Sequence, residues 1–458
     1  MNYLMKRFYK FIFFPFLLLF LSERGLSQDT LRLTLQSAQE IAVAQSIDVQ
    51  YTRMDAEILR FEANEVMTEG FPKINANLDY NWNFQQQVNV IPENSFFPGS
   101  PSSEAIFTQP HAATAKAELN QLVFDARYLY GLQARKSILN MADAREKLSE
   151  KTIKDGFAPA YLQCLYIREF IEQMEASRAL LQNGLELNQK LYDEGLGEAL
   201  TLDRLRLSID QINTQIDYAE VNLVNAMANL RYVMNIQPDA VLYLEDSIQH
   251  YAEETLDYLG SYQYINLPEY RVLEINDQLR YYDIAQARAQ LYPSIYLFGY
   301  YGVLAQRSSF SFFKAGPDYR WFDFGTLGFT VNIPIYDGST AKMQIQQREL
   351  KRSQNQLDIE RLQKGFAIGL ETTANEIENA QNQLDQSIEN HALTEKIYRR
   401  ENILYAEGVG SSFALISAQQ DMIEAEIDIL EKTYQLAIAK FNWKQKRGIL
   451  WEHILHYL

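Results

Sequence analysis

The chain has 458 residues, with 42 Lys plus Arg against 59 Asp plus Glu, and a formal charge of -17. That balance argues against nucleic acid as a partner, because phosphate contacts need clustered cations. Its single cysteine, Cys164, excludes an internal disulfide, and the flanking Leu162 and Leu165 suit helix packing better than catalysis, which needs basic or His neighbours.

From the N-terminus, residues 1–27 read as a signal peptide. Lys6, Arg7 and Lys10 precede an apolar run from Phe11 to Leu21 broken only by Pro15, and the small residues Gly25 and Ser27 set up cleavage before Gln28. The run falls short of the roughly 20 apolar residues of a membrane-spanning helix, and nothing after residue 27 reads as one. No cysteine stands at the cleavage point to take a lipid anchor.

The rest divides into a first repeat at 28–236, an equatorial linker at 237–262, a second repeat at 263–450 and a tail at 451–458. The first repeat predicts a helix over about 33–69, strands over about 74–90 and 112–124, a long helix over 126–194, a glycine turn at 194–198 and a helix over about 198–236. The second predicts a helix over 266–292, strands over about 294–304 and 324–335, a long helix over 338–404, a turn at 407–411 and a helix over 411–449. At 1.5 Å per residue each long helix would reach roughly 100 Å. Gly156, Pro159, Gly365 and Gly369 are candidate kinks within them. In each repeat the two shorter helices would stack end to end beside the long one and even out a tube wall, with the linker crossing its middle.

Three landmarks carry the duplication. Tyr192, Glu194, Gly195 and Gly197 recur as Tyr405, Glu407, Gly408 and Gly410. Leu119-Asn120 through Phe124-Asp125 recurs as Val331-Asn332 through Tyr336-Asp337, and Phe71-Pro72-Lys73-Ile74 as Tyr292-Pro293-Ser294-Ile295. A period of this length is a duplicated domain rather than a short solenoid unit. After each glycine turn comes a heptad seam: Leu205, Ile209, Ile212, Ile216, Ala219, Leu223, Ala226, Leu230 and Val233 in the first, and Phe413, Ile416, Gln420, Ile423, Ile427, Leu430, Tyr434, Ala437 and Phe441 in the second. A plain amphipathic bundle helix would show one such seam; its repetition favours a coiled coil.

In the first strand Ile74, Ala76, Leu78, Tyr80, Trp82 and Phe84 alternate with Asn75, Asn77, Asp79, Asn81, Asn83 and Gln85. This period of two suits a strand with lipid on one side and a wet lumen on the other, and also a half-buried strand of a soluble sheet. Asn75, Asn77, Asp79 and Asn81 are the lumen-facing candidates. The segment 294–304 is apolar and aromatic on both faces, so its orientation stays open. Tyr80, Trp82, Tyr292, Tyr300, Tyr301 and Trp321 are candidates for interfacial aromatic girdles, with the loops 91–111 and 306–320 outside. Four strands cannot close a barrel, and an open edge in lipid leaves backbone groups unpaired; three copies would supply twelve strands.

On these motifs the chain resembles the TolC-type outer-membrane efflux protein family over nearly all its length after the signal. The turns Glu194-Gly195-Leu196-Gly197 and Glu407-Gly408-Val409-Gly410 carry most of the likeness, with Phe71-Pro72, Leu291-Tyr292-Pro293 and Ile333-Pro334-Ile335-Tyr336-Asp337-Gly338 at the helix–strand joints and Leu122-Val123-Phe124-Asp125 as a weaker copy. The resemblance implies a mainly α fold with a small β part: tandem long coiled-coil helices plus four membrane strands, forming a trimeric twelve-stranded barrel on an α-helical barrel. It implies an outer-membrane location with a helical part in the periplasm. The implied partners are two further copies, outer-membrane lipid, a periplasmic adaptor and, through it, an inner-membrane transporter, with passive conduction of the transporter's substrate. Gly195, Leu196, Gly197, Gly408, Val409 and Gly410 are then the adaptor-contact candidates at the tips.

Family members often place aspartates just after the second tip, at the closed entrance; the matching positions here are Ala414 and Ser417. Glu198, Asp203, Phe413 and Ser417 are therefore the gate candidates. The competing reading is a cell-surface coiled-coil structural or adhesive protein, which explains the seams but not the strands. His111, His250, His391, His453 and His456 show no metal-ligand spacing, and no phosphate loop or nucleophile elbow is present. No enzyme activity, cofactor or metal is expected.

Overall fold

The computed structural model describes residues 31–256 and 263–448. The expected signal peptide at 1–27 and tail at 451–458, with His453 and His456, lie outside the described residues.

The described residues open on a short strand, β1 (Leu31–Leu33), followed by α1 (Leu35–Gln45) and α2 (Ile47–Thr68). One helix over 33–69 was expected; the difference comes from two capping residues. Thr34 and Ser37 form a reciprocal capping box that starts α1. Ser46 then leaves helical geometry at ψ 129° and caps α2 through its hydroxyl. Next come β2 (Lys73–Trp82), the small hairpin β3 (Asn89–Ile91) and β4 (Ser103–Ala105), and β5 (His111–Asp125). The expected strand over 74–90 stops at Trp82, where its ladder runs into Pro110, a residue with no amide to donate. Asn83 takes the last bond, its amide donating to the Pro110 carbonyl at 2.7 Å.

The helix α3 (Ala126–Asp193) runs 68 residues without interruption, through both Gly156 and Pro159. After the first turn comes α4 (Ala199–Met234), then β6 (Leu242–Leu244) and α5 (Ile248–Glu253). The second half contains α6 (Pro268–Ala289), β7 (Ser294–Arg307), β8 (Phe322–Asn332), the 67-residue α7 (Thr340–Ala406) and α8 (Ser412–Arg447). Among the described residues no helix is long and apolar enough to cross a membrane.

The shorter helices do stack end to end. Asn235, left-handed after α4, donates its side-chain amide to the Gln45 carbonyl at the end of α1. Gly448, left-handed after α8, sits against Leu267 just before α6. The seams face inward: Leu205, Ile209, Ile212 and Ile216 of α4 bury with Ile416 and Ile423 of α8 against Met174 and Leu181 of α3.

The described part of the segment expected as an equatorial linker, residues 237–256, builds structure of its own. β6 pairs in parallel with β1, Leu31 opposite Leu242 and Leu33 opposite Leu244. Beneath that pair lies the main core, where Phe157, Tyr161, Leu162 and Leu165 are fully buried with Leu230, Met234 and Leu436. Cys164 belongs to this core, and burial pushes its thiol up to about 12.

Asp246 holds the arrangement. Its Oδ2 accepts from the Leu35 amide at 2.8 Å, the Tyr161 hydroxyl at 2.8 Å and the Tyr251 hydroxyl at 2.6 Å. Arg168 clamps the carbonyls of Leu244 and Asp246 at 2.5 and 2.7 Å. Burial, then Asp246 itself, holds the Tyr161 phenol far above its ordinary value, so it stays a donor. Asp246→Ala leaves the Leu35 amide and the Tyr251 hydroxyl without an acceptor, while the Tyr161 hydroxyl keeps the Leu33 carbonyl at 2.9 Å. At about 1–3 kcal/mol per buried unsatisfied group, the loss should be about 2–4 kcal/mol. Thermal unfolding measures this; a change below about 1 kcal/mol would mean that water replaces the carboxylate.

Candidate functional site

The two candidate regions stand at opposite ends of α3, a membrane-compatible sheet at one end and a pair of glycine turns at the other.

The sheet has the order β2-β5-β7-β8, antiparallel throughout, with β2 and β8 as open edges. Its register decides which residues share a face. Ile74 lies opposite Leu119, Leu119 opposite Gly299, and Gly299 opposite Leu327. One step along, Ala76, Ala117, Tyr301 and Gly325 form the next row of that face. This apolar face is exposed: Leu78 is 78% accessible and Leu327 74%. The orientation of β7, open in the sequence, follows from the pairing. Ile295, Leu297, Tyr301 and Val303 join the apolar face, and Tyr296, Phe298 and Tyr300 join the other.

Asn75, Asn77, Asp79 and Asn81 all lie on that other face. There the Asn77 side-chain amide donates to Glu118 Oε2 at 3.1 Å, and Lys116 pairs with Glu118 at 2.5 Å. Gly302 is opposite Lys116, and a Cβ on it would stand 2.7 Å from the Lys116 Cβ, so any side chain would displace the lysine. Tyr300, a girdle candidate, is on this polar face, whereas Tyr80, Trp82 and Tyr301 are on the apolar one. The face also carries Phe322 and Phe324 and is therefore not uniformly polar. Lys73 and Lys116 stand on it with Asp79, Glu118 and Asp125, the last of these already paired with Arg127 at the start of α3.

The two turns share one geometry. Gly195 and Gly408 have φ of 79° and 75°, the left-handed region that favours glycine. The amides of Leu196 and Gly197 both donate to the Leu191 carbonyl, at 2.8 and 2.9 Å. Those of Val409 and Gly410 both donate to the Leu404 carbonyl, at 3.1 and 2.8 Å. Gly197 and Gly410 are small for a second reason: a Cβ would stand 2.7 Å from the Tyr192 nitrogen and 2.6 Å from the Tyr405 nitrogen. This folding leaves Leu196 77% and Val409 74% exposed at the apex of each turn.

Side chains join the two turns. The Tyr405 hydroxyl donates to Asn188 Oδ1 at 2.5 Å, while the Asn188 amide back-bonds to the Gly184 carbonyl at 2.8 Å. Burial, helped by Glu198, raises the Tyr405 phenol and keeps it a donor. Arg204 lies over the Phe413 ring at 4.4 Å. Gln420 donates to Ser208 Oγ at 2.9 Å. Among the gate candidates, Glu198 is the exposed N-cap residue of α4, and Asp203 is paired with Arg206 at 3.5 Å. Phe413 is half covered by Arg204, and Ser417 is half-buried one turn further on. Asn188 was not legible in the sequence, because its role depends on a residue 217 positions away. Tyr405 was legible only as part of a turn motif.

Residues 265–442 match the family model described as outer membrane efflux protein. The protease secretion protein PrtF of Dickeya chrysanthemi is 22% identical over 333 residues, 71% of this chain and 69% of that protein. The outer membrane efflux protein BepC of Brucella suis is 22% identical over 344 residues, 72% of this chain and 70% of that protein. The solved structure of CusC superposes with a TM-score of 0.71 at 13% identity, covering 90% of this chain and 91% of that one.

A doubled helix–strand–strand–helix protomer with one lipid-compatible sheet face and paired helical turns at the far end is an outer-membrane channel protein. Residues 265–442 carry the outer membrane efflux protein domain, and the chain as a whole has the TolC-type fold that its motifs resemble.

Proposed function

We propose that the protein is the outer-membrane duct of a tripartite efflux or type I secretion system. It works as a homotrimer that passively carries what an inner-membrane transporter and a periplasmic adaptor deliver. The observation that carries this reading is a matched pair of unfinished edges. The sheet is open at β2 and at β8. The helices leading to those edges carry unfinished seams. On α2, Ile47, Tyr51, Met54, Ile58 and Phe61 recur at heptad spacing and are all exposed. On α7, Met343, Leu350 and Leu357 recur every seven residues and are exposed. A cyclic assembly that pairs β2 with the next copy's β8 brings α2 beside the next copy's α7. It thereby closes both defects at once. Three copies give twelve strands, enough for a barrel. The alternative of a surface coiled-coil protein leaves the exposed apolar sheet face without a role.

In this reading the Asn188–Tyr405 bond is a clasp that holds the second turn against the first and keeps the periplasmic end narrow. Tyr405→Phe removes one hydrogen bond of about 1 kcal/mol in each protomer. Over three protomers the open probability of the purified trimer in a planar bilayer should rise roughly tenfold or more. No conductance from either protein, under any applied voltage, would sink the channel. Equal conductance from both would sink only the clasp.

A further inference from the structure

The connection between β7 and β8 folds back onto the apolar face of the sheet instead of over the polar one. Phe312 is buried against Ala113 and Ala305, which are register partners in the same row as Tyr80. Tyr80 meets Phe310 and Phe312 edge-on, at centroid distances of 5.5 and 5.9 Å. Arg307, itself buried, fastens the loop. Its guanidinium donates to the Asp318 and Tyr319 carbonyls at 3.1 and 2.7 Å and lies over the Phe312 ring at 5.6 Å. The loop is therefore a built pad on the side of the sheet that carries Ile74 and Leu78.

The pad's outward surface has a consistent chemistry. Phe313 is 93% exposed, more than a soluble surface ordinarily leaves an aromatic ring. Next to it stand Lys314 and, beyond the turn, Arg320, both exposed. Neither forms an ion pair among the described residues. Asp318 is the one carboxylate between residues 306 and 321, and Asp323 is the next along β8. A cationic, aromatic pad thus stands out on a chain of charge -17.

We propose that this pad is an anchor in the outer leaflet: Phe313 enters the acyl boundary, and Lys314 and Arg320 bind the phosphate groups of the surrounding lipid. The occupant follows from continuity, because the pad extends the same face that the strands present to the hydrocarbon. Arg320 directly precedes Trp321, whose ring meets Phe312 at 5.9 Å, and Lys314 lies near the Tyr319 ring, so the cations accompany the aromatic rim where headgroups begin. The inference rests on the channel reading and goes beyond it.

The test uses the full trimer in nanodiscs of phosphatidylcholine, with and without diphosphoryl lipid A. Phe313→Cys and, separately, Leu78→Cys carry a fluorophore, and spin-labelled lipids act as quenchers; the native Cys164 is buried and stays unlabelled. Both positions should be quenched, residue 78 best by acyl-chain labels and residue 313 best by headgroup labels. Lys314→Gln with Arg320→Gln should lower lipid A retention, read by native mass spectrometry, by roughly tenfold, with phosphatidylcholine retention unchanged. Quenching at 78 without quenching at 313 overturns the anchor and leaves the channel standing; the pad then faces water or a neighbouring copy. No quenching at either position overturns both. Undiminished lipid A retention by the charge variant overturns the phosphate recognition.

Discussion

Met54→Glu combined with Ile58→Glu should dissolve the trimer into monomers. Both side chains are exposed in the single protomer, at 64% and 53%, so neither contributes much to its own stability. They lie in the unfinished seam of α2, with Ile47, Tyr51 and Phe61 on the same stripe. Burying a Met or Ile side chain is worth about 1.5–3 kcal/mol, so the pair forfeits about 3–6 kcal/mol at each interface before any cost of burying carboxylates. That is roughly a 10²- to 10⁴-fold loss per interface, repeated around the ring. Light scattering on the detergent-solubilised protein should show the protomer mass, and circular dichroism should show unchanged helix content. A variant that stays trimeric at micromolar concentration would place the subunit contact elsewhere and remove the support for the ring.

Leu196→Glu with Val409→Glu should abolish export and leave the duct itself intact. The backbone bonds of each turn involve amides and the carbonyls of Leu191 and Leu404, and none involves the apex side chains. Replacing either apex residue therefore changes folding stability by about 0.5 kcal/mol or less. A docking partner would lose about 1.5–3 kcal/mol per apex side chain, and a trimer presents six. Adaptor co-purification and cargo export should fall at least roughly tenfold, while bilayer conductance stays at the wild-type value. Full export by the double variant would mean that the exposed apices are not the docking surface. The glycines are not informative here, since Gly195 and Gly408 are demanded by positive φ and Gly197 and Gly410 by the close approach of backbone.

Much of this molecule was legible in its sequence. The doubled Tyr-x-Glu-Gly-x-Gly motif marked both turns, and the heptad seams marked α4 and α8. The alternation from Ile74 to Trp82 marked a two-faced strand. Each of these signals is local, because a helix repeats its face every three or four residues, a strand every two, and a left-handed turn wants glycine at one place. Capping lies at the same scale, yet Ser46 was passed over, because a lone serine inside an apolar-periodic run gives no stop signal until its ψ is known.

Tertiary structure alone decided the rest. The faces of β7 could not be assigned from a run apolar on both sides; its pairing with β5 and β8 settled them. The parallel pairing of β1 with β6, the threefold use of Asp246 and the Asn188–Tyr405 clasp each join residues from distant parts of the chain. The β7–β8 loop was expected to be extracellular, which says nothing about the face it covers; the seating of Phe312 on Ala113 and Ala305 shows that it turns onto the apolar one. Periodicity records which way a side chain points relative to its own backbone. Which partner meets it depends on register and on long-range closure, and the local pattern of residues carries neither.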